Sequence, residues 1–449
     1  MINTLQKPNT AIPLQKCLDE ILDMDFGILQ EIKEVPRYAS DPVFFHYIGR
    51  ACDTFPFSGQ KNFFNSGGAS TIRENALYKA VGEAIERYSS AIYDPATLPL
   101  HSFESAPFEC ANPNEFSLYA PHQYEDENFL FVPLEKKTPV KWTKCLNLVT
   151  NTSVYVPAAA VYMPYTYILG EGDSPILQPI STGLACHKSK IDAVISAICE
   201  IIERDAVMTM WQKMLSFPQI RIETLSDVNY DIVKRLELNG SRLFMFNITM
   251  EHGVTTILSV LSGEDNLKLP KYIFSAAADP NPDIAARKSL EEIPHSRRYC
   301  ARIMDYSPDF IPEFPFHKNV RDQQHHLHFY SDHKNSEYAS FVFKSKERIS
   351  FDELTSLSSA SKEETLDKLI NAIKNTGENI YIKDLTTADV GEMGFTVVRA
   401  VIPRYQRLCM GYENRCLGGT RLHEAFKKVN CTSHLPADLI DNPAPHPYP

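Results

Sequence analysis

Two stretches of this 449-residue chain repeat one pattern, A-x3-A-x2-E-x2-E-R. The first copy is Ala76, Ala80, Glu83, Glu86 and Arg87; the second is Ala193, Ala197, Glu200, Glu203 and Arg204. On an α-helix, positions three, four and seven apart share a face. Both glutamates of each copy therefore project to one side, with the alanines one and two turns before them. Small residues there let a backbone or a ligand approach closely. Two such helices side by side would present four carboxylates to one space, where they repel unless a positive charge lies between them. Hard divalent cations prefer oxygen ligands, and Mg2+ takes one or two carboxylates together with phosphate oxygens. Arginine is suited to clamping phosphate oxygens in a bidentate manner, so the pattern suggests a metal–nucleotide site. A single copy also fits a solvated helix with Glu–Arg pairs at i, i+4, worth only ~0.3–0.5 kcal/mol each. Two identical copies, each embedded in apolar residues (Val81, Ile85; Ile198, Ile201, Ile202), favour the site.

A third, degenerate copy keeps the spacing with Ala285, Ser289, Glu292 and His295, followed by Arg297 and Arg298. It suggests another wall of the same site, although Pro294 is expected to kink this helix or mark its edge.

Helical periodicity is strongest over residues 73–92 and 190–214, with a third segment at 283–304. A short helix is expected around 14–32 and an exposed one at 362–375. Strand-like runs occur at 129–133, 152–162, 380–385 and 395–402. No hinge-like linker divides the chain. The reading is an interwoven α/β or α+β body with an N-terminal segment (1–60) and one large domain (61–449).

Composition narrows the function further. The chain is 43% hydrophobic and 22% charged, enough to bury a large core, and its net charge of −11 argues against a surface that coats nucleic acid or an anionic membrane. The first residues lack the apolar run of a secretory signal, and the apolar stretch 156–169 is interrupted by Pro157 and Pro164. Ten cysteines without a C-x-x-C are expected to be free thiols in a reducing cytoplasm. His325, His326, His328 and His333 fit no standard zinc spacing and read as surface or structural residues. Trp211 reads as core. Asp384 and Asp389 read as turn and cap residues before reaching the site is considered.

At these motifs the sequence resembles the YcaO family. GEAIERYSS (82–90) and STGLACHKSKIDAVISAICEIIERDAVMTMW (181–211) look like its two glutamate-rich ATP motifs, and SLEEIPHSRRY (289–299) like its third. VVRAVIPRYQRLCMGYENRCLGGTRL (397–422) looks like a late block of the family, and NPAPHPYP (442–449) like the proline-rich tail of azoline-forming members. The resemblance implies an α+β fold with an antiparallel sheet core and packed helices. It also implies an ATP site unlike a P-loop, and no G-x-x-x-x-G-K-[ST] occurs here. Carried over by position, Glu83, Glu86, Glu200 and Glu203 would hold Mg2+ and orient the phosphates of ATP. Arg87, Arg204 and Arg297 would be phosphate or structural partners, and Glu292 and His295 would belong to the third wall. The chain departs from many members at Lys79, Thr182, His295 and Ser66-Gly67-Gly68.

The implied reaction is cyclodehydration of a ribosomally made precursor peptide. A Cys, Ser or Thr side chain attacks the preceding carbonyl carbon, the oxyanion takes the γ-phosphoryl group, and phosphate leaves behind a thiazoline or oxazoline. This is positioning and electrostatics, plus a base. The stiff tail would bring the terminal carboxylate of Pro449 to the site as base or orienter. The resemblance further implies an E1-like or ThiF-like leader-binding partner, a flavin-dependent azoline dehydrogenase, and a homodimer or hetero-oligomer, with neither nucleic acid nor membrane as partner. The rival readings are backbone thioamidation, with an external sulfide as nucleophile, and a non-catalytic peptide-binding scaffold.

Overall fold

Three strand–turn–helix units carry the three copies of the repeat. The computed structural model describes residues 14–37, 44–116, 118–238, 240–264, 266–307 and 310–448. Strand Asn65–Ser70 leads into helix Arg73–Ser90, strand Leu184–His187 into helix Lys190–Gln212, and strand Tyr272–Ala278 into helix Pro282–Tyr306. Each strand lies at the end of a different sheet. Asn65–Ser70 closes a three-stranded antiparallel sheet with Leu29–Glu34 and Phe45–Ala51. Leu184–His187 is the end strand of a larger antiparallel sheet, next to Thr396–Val401, then Tyr381–Asp384, Val140–Asn147 and Leu100–His101. Tyr272–Ala278 begins a five-stranded sheet that continues through Thr256–Ser262, Arg242–Asn247 and Gln219–Ile220 to Arg348–Ile349, whose pairing alone in that sheet is parallel. The architecture is the expected α+β one.

The alanines of the repeat are contact points. Ala76, Ala80, Ala193, Ala197, Ala285 and Ser289 are all fully buried. At the first unit the strand passes so close to its helix that a Cβ on Gly68 would stand 2.1 Å from the Ala76 carbonyl oxygen and 2.6 Å from the Ala80 nitrogen. The glutamates one and two turns onward are thus held at a fixed height above the strand. Helix Lys190–Gln212 packs on Thr396–Val401 and Leu184–His187, and also on Tyr272–Ala278. Lying between two sheets, it is apolar around most of its circumference.

Buried Asp205 follows Arg204 directly and accepts three hydrogen bonds from Arg421, Nε at 2.8 and 3.0 Å and Nη2 at 2.6 Å. Arg421 also pairs with Glu251, and its guanidinium lies 3.8 Å from the Tyr405 ring centroid. The late motif block is tied to the second glutamate helix through this cluster.

Several sequence expectations need correction. The helix of the third copy runs on through Pro294 to Tyr306, because Leu290, Ile293, Cys300 and Ile303 on both sides of the proline share one apolar core. Residues 129–133 form no strand; Phe129 and Phe131 pack their rings on Tyr119 instead. Residues 14–32 divide into helix Leu14–Ile21 and the start of strand Leu29–Glu34. The expected helix at 362–375 is present as Lys362–Lys374, with Leu366, Leu369, Ile370 and Ile373 buried. All ten cysteines are free, and no helix among the described residues is long and apolar enough to cross a membrane.

Gly68→Ala tests this packing. The added methyl has backbone atoms as neighbours, so helix and strand must separate, and overpacking of this kind costs about 1–3 kcal/mol. Urea denaturation should show a lower midpoint with an unchanged slope; an unchanged midpoint would mean that the two elements are free to shift apart.

Candidate active site

A cavity of about 740 Å³ opens where the three units meet. Glu83, Glu86, Glu200, Glu203, Arg204 and Glu292 line it, together with Gly67, Leu184–His187 and residues 275–278 of the three end strands. The two exact copies are therefore brought to one space, with the third copy contributing Glu292 and, one turn earlier, Lys288.

The two glutamates of each copy are held differently. Glu83 Oε2 accepts a hydrogen bond from the Gly67 amide at 2.8 Å, and its Oε1 accepts one from Arg87 Nη2 at 3.0 Å. Glu200 repeats this scheme: Oε2 accepts from the Gly183 amide at 3.1 Å, and Arg204 lies 3.8 Å from Oε1. Gly183 has φ of 89°, in the left-handed region, and a Cβ there would meet the Ala400 carbonyl oxygen at 2.4 Å. Only glycine fits the turn that points this amide at Glu200.

The second glutamates face the cavity. Glu86 makes no hydrogen bond among the described residues, and burial, with Glu200 and Glu83 adding repulsion against the attraction of Arg87, pushes its carboxyl up to about 8. Glu203 is pushed up to about 7, by burial first, against the opposing influence of Arg204 and of the Tyr448 hydroxyl. Burial also raises Glu200. Arg399, fully buried on strand Thr396–Val401, is lowered to about 9 by burial and by Arg407 while Glu200 and Glu86 pull it up. Its Nε and Nη1 donate to the carbonyls of Ala160 and Ser181, at 3.1 and 3.0 Å.

Other predicted residues are less central. Arg87 stands behind Glu83 and does not line the cavity. His295 and Arg297 do not line it either; the His295 ring lies against the Gly67 backbone and stacks on His46 at 6.2 Å. Asp384 pairs with Lys190 at 2.8 Å and Asp389 accepts from Tyr88 at 2.7 Å, both away from the cavity. Lys79 lines the cavity and donates to the Ala69 carbonyl (2.9 Å) and to Glu291 (3.0 Å). Lys288 pairs with Asp279 at 2.8 Å. Lys288 was discoverable, since it sits four residues before Glu292 on the same helical face.

The C-terminal segment is buried and ordered by the core. Asn442 bonds to Gln212 and Trp211, Trp211 Nε1 donates to the Ala444 carbonyl at 3.1 Å, and Tyr330 donates to that of Pro445 at 2.7 Å. The amide of Tyr448 donates to His446 Nδ1, so His446 carries its proton on Nε2 and gives it to the Cys409 carbonyl at 2.8 Å. His326 Nδ1 lies 2.9 Å from the His446 carbonyl, and the two rings stack at 4.1 Å. Burial drives His326 down to about 4 and holds His446 well below the usual imidazole range, so both are neutral. The segment ends with the Tyr448 hydroxyl 2.5 Å from Glu203 Oε1. Pro449 itself lies outside the described residues. Trp211 and His326 thus hold the tail, which spacing did not reveal.

Among the described residues no three His, Cys, Asp or Glu side chains form a ready-made metal cage. An oxygen-rich wall with an unbonded carboxylate fits a cation that arrives with phosphate oxygens, as Mg2+ does.

Residues 67–406 match the family model described as YcaO cyclodehydratase, ATP- and Mg2+-binding. The fold is similar to a heterocyclase in complex with substrate and cofactor (TM-score 0.74, 16% identity), with 96% of this chain covered but 57% of that one. It is also similar to YcaO from Methanopyrus kandleri bound with AMPPCP and Mg2+ (TM-score 0.59, 17% identity, 84% of this chain and 86% of that one). The E. coli microcin synthetase McbBCD complex contains a further similar chain (TM-score 0.58, 16% identity, 84% and 88%).

The raised carboxyls give the site a pH signature. Ordinary carboxyls titrate near 4.5, so the fold holds protons on Glu86 and Glu203 that an unfolded chain releases as pH rises from 4.5 to about 8. Stability of the metal-free protein should therefore fall over that window, and a divalent cation must displace those protons. Calorimetric Mg2+ titration with a non-hydrolysable ATP analogue, in buffers of different ionisation enthalpy, should show release of roughly one to two protons near pH ~6.5 and almost none near pH ~9. Proton release that does not vary with pH would remove these carboxyls from the metal site.

Proposed function

The chain belongs to the YcaO family, and from that premise we propose that it is an ATP-dependent peptide cyclodehydratase, forming thiazoline or oxazoline rings from Cys, Ser or Thr of a ribosomally made precursor peptide. The observation that carries the reading is Glu86 and Glu203 facing one cavity, one of them without a hydrogen bond and both with raised carboxyls. Such a wall is poorly satisfied alone and well satisfied by a cation. Glu86 and Glu203 are the proposed direct ligands of Mg2+, with Glu83 and Glu200 on the same cavity wall held by glycine amides and neighbouring arginines. When bound, Mg-ATP supplies the phosphoryl group that turns the peptide oxygen into a leaving group.

The remaining work falls to this chain's own groups. Arg204, Lys79 and Lys288 provide positive charge at the cavity wall, and Arg87 keeps Glu83 oriented. Fixed beside the phosphates, such charges stabilise developing phosphate charge more than mobile solvent does. Pro449, one residue beyond Tyr448, is the proposed base or orienter through its terminal carboxylate. Pro443, Pro445 and Pro447 stiffen the approach. The tail and the likeness to a heterocyclase favour azoline formation over thioamidation. The proposed partners are the precursor peptide and a leader-binding E1-like or ThiF-like protein, which would offset the ordering cost of a flexible peptide. A flavin-dependent azoline dehydrogenase, oligomerisation, cytoplasmic location and the 1–60/61–449 division belong to the same proposal.

Glu86→Gln and Glu203→Gln should each lower turnover by about 100-fold or more while the protein stays folded, since each removes a charge but almost no volume. Mass spectrometry of the peptide then separates the reactions: loss of one water per ring for cyclodehydration, exchange of oxygen for sulfur for thioamidation. Parent-like turnover in both variants would leave the repeat without a catalytic role.

Appending residues after Pro449 should suppress ring formation while nucleotide binding persists, because the terminal carboxylate is moved and Tyr448 is not. Unaltered azoline yield in the extended protein would rule out the carboxylate as base.

A further inference from the structure

The tail reaches the carboxylate wall at one point, and that point is a side chain. The Tyr448 hydroxyl lies 2.5 Å from Glu203 Oε1 and 3.3 Å from the Ala276 carbonyl oxygen. A phenol has one proton, and the shorter contact to a carboxylate takes it. The Tyr448 ring is buried, and the Arg204 guanidinium lies 4.6 Å from its centroid. Arg204 is in turn 3.7 Å from Glu203 Oε1 and 3.8 Å from Glu200 Oε1. Tyr448 therefore sits against Glu203 and beneath the arginine that serves both glutamates of the second copy.

The four glutamates are not supported alike. Glu83 and Glu200 each accept a hydrogen bond from a glycine amide, that of Gly67 within its strand and that of Gly183 in a turn. Glu86 has no hydrogen bond among the described residues. Glu203 has a hydrogen-bond donor that comes not from its own strand–turn–helix unit but from the far end of the chain, 245 residues away. That donor is placed by the whole anchoring run: Trp211 on Ala444, Tyr330 on Pro445, and His326 and Cys409 on His446. Every one of these anchors is buried, so the phenol has little freedom of its own.

We infer that Tyr448 is a positioning residue for the metal site: its hydroxyl holds Glu203 in the ligating orientation, so divalent-cation affinity depends on a docked C-terminal segment. This rests on the reading of Glu203 as a Mg2+ ligand. A hydrogen bond from outside fixes a ligating carboxylate and favours its charged form, and loss of such a partner typically weakens metal affinity by about 10- to 100-fold. Removal of the hydroxyl leaves the ring under Arg204 and the backbone contacts of the tail unchanged.

Tyr448→Phe in the full chain is the test, read with Mg2+ as titrant in the presence of a non-hydrolysable ATP analogue. The midpoint for Mg2+ should rise about tenfold. The fluorescence of Trp211, whose indole bonds to the tail, should be unchanged and so report that the segment is still docked; the other tryptophan, Trp142, is silenced by substitution to Phe in every protein compared. In a Glu203→Gln background, Tyr448→Phe should have no further effect on the midpoint. A parent-like midpoint in Tyr448→Phe, with Glu203→Gln shifted, overturns this inference and leaves the metal site standing. A parent-like midpoint in Glu203→Gln overturns the metal-ligand reading itself. Altered Trp211 fluorescence with a shifted midpoint that persists in the Glu203→Gln background assigns the effect to undocking and also overturns the inference.

Discussion

Four glutamates crowd around one cavity, too close and too buried for all of them to carry charge unaided, and the elements around them are arranged to accommodate this. Left in water the glutamates would move apart; half-buried, they must be held. The chain does so by giving each pair unequal support. One glutamate of each pair accepts a hydrogen bond from a glycine amide and lies beside its own arginine, hydrogen-bonded for Glu83 and 3.8 Å away for Glu200, which fixes its orientation. The other is left facing the cavity, with its carboxyl raised by burial. The protein thus retains an unsatisfied demand for positive charge at one place, which suits the proposed cation with its phosphate oxygens.

The scaffold serves this arrangement through small residues and sheet ends. Ala76 and Ala80 set the first helix hard against its strand, with Gly68 as the only residue type that the gap admits. The second helix lies between two sheets, so its glutamates cannot turn away without unpacking both. Its C-terminal half is pinned by Asp205 in the bidentate grip of Arg421. Removal of one partner from such a buried pair typically costs about 3–5 kcal/mol, because the other charge is left alone. The pair is worth little as a source of net stability. Its effect is to fix the orientation of the turn that also carries Glu200, Glu203 and Arg204.

The tail shows a different economy. Its prolines lack amide donors, yet its carbonyls at Ala444, Pro445 and His446 are met by Trp211, Tyr330 and His326. A proline-rich terminus would ordinarily stay solvated. Here stacked neutral imidazoles and buried aromatic rings give it a socket, which ends beside Glu203.

Much of the carboxylate wall that lines the cavity was legible in the sequence. Helical periodicity fixes which residues share a face, so the repeat alone placed Glu83 with Glu86 and Glu200 with Glu203, and the alanines as contact points. The third copy's register pointed to Glu292, and the same face includes Lys288. Periodicity is local, however, and says nothing about which helices meet. Only the tertiary structure decided that the three copies share one cavity, that His295 and Arg297 stand outside its lining, and that Pro294 fails to end its helix. The packing of distant residues on both sides of that proline outweighs its local preference. The partners of Glu83 and Glu200 are amides 16 and 17 residues earlier, and that of Glu203 is a phenol 245 residues later. Such pairings are made by chain reversal and burial, which no spacing rule encodes. Helix geometry follows from the backbone, so the shared face of each glutamate pair can be read along the chain; which carboxylates gain a hydrogen-bond donor depends on what the rest of the chain brings against them, and only folding settles that.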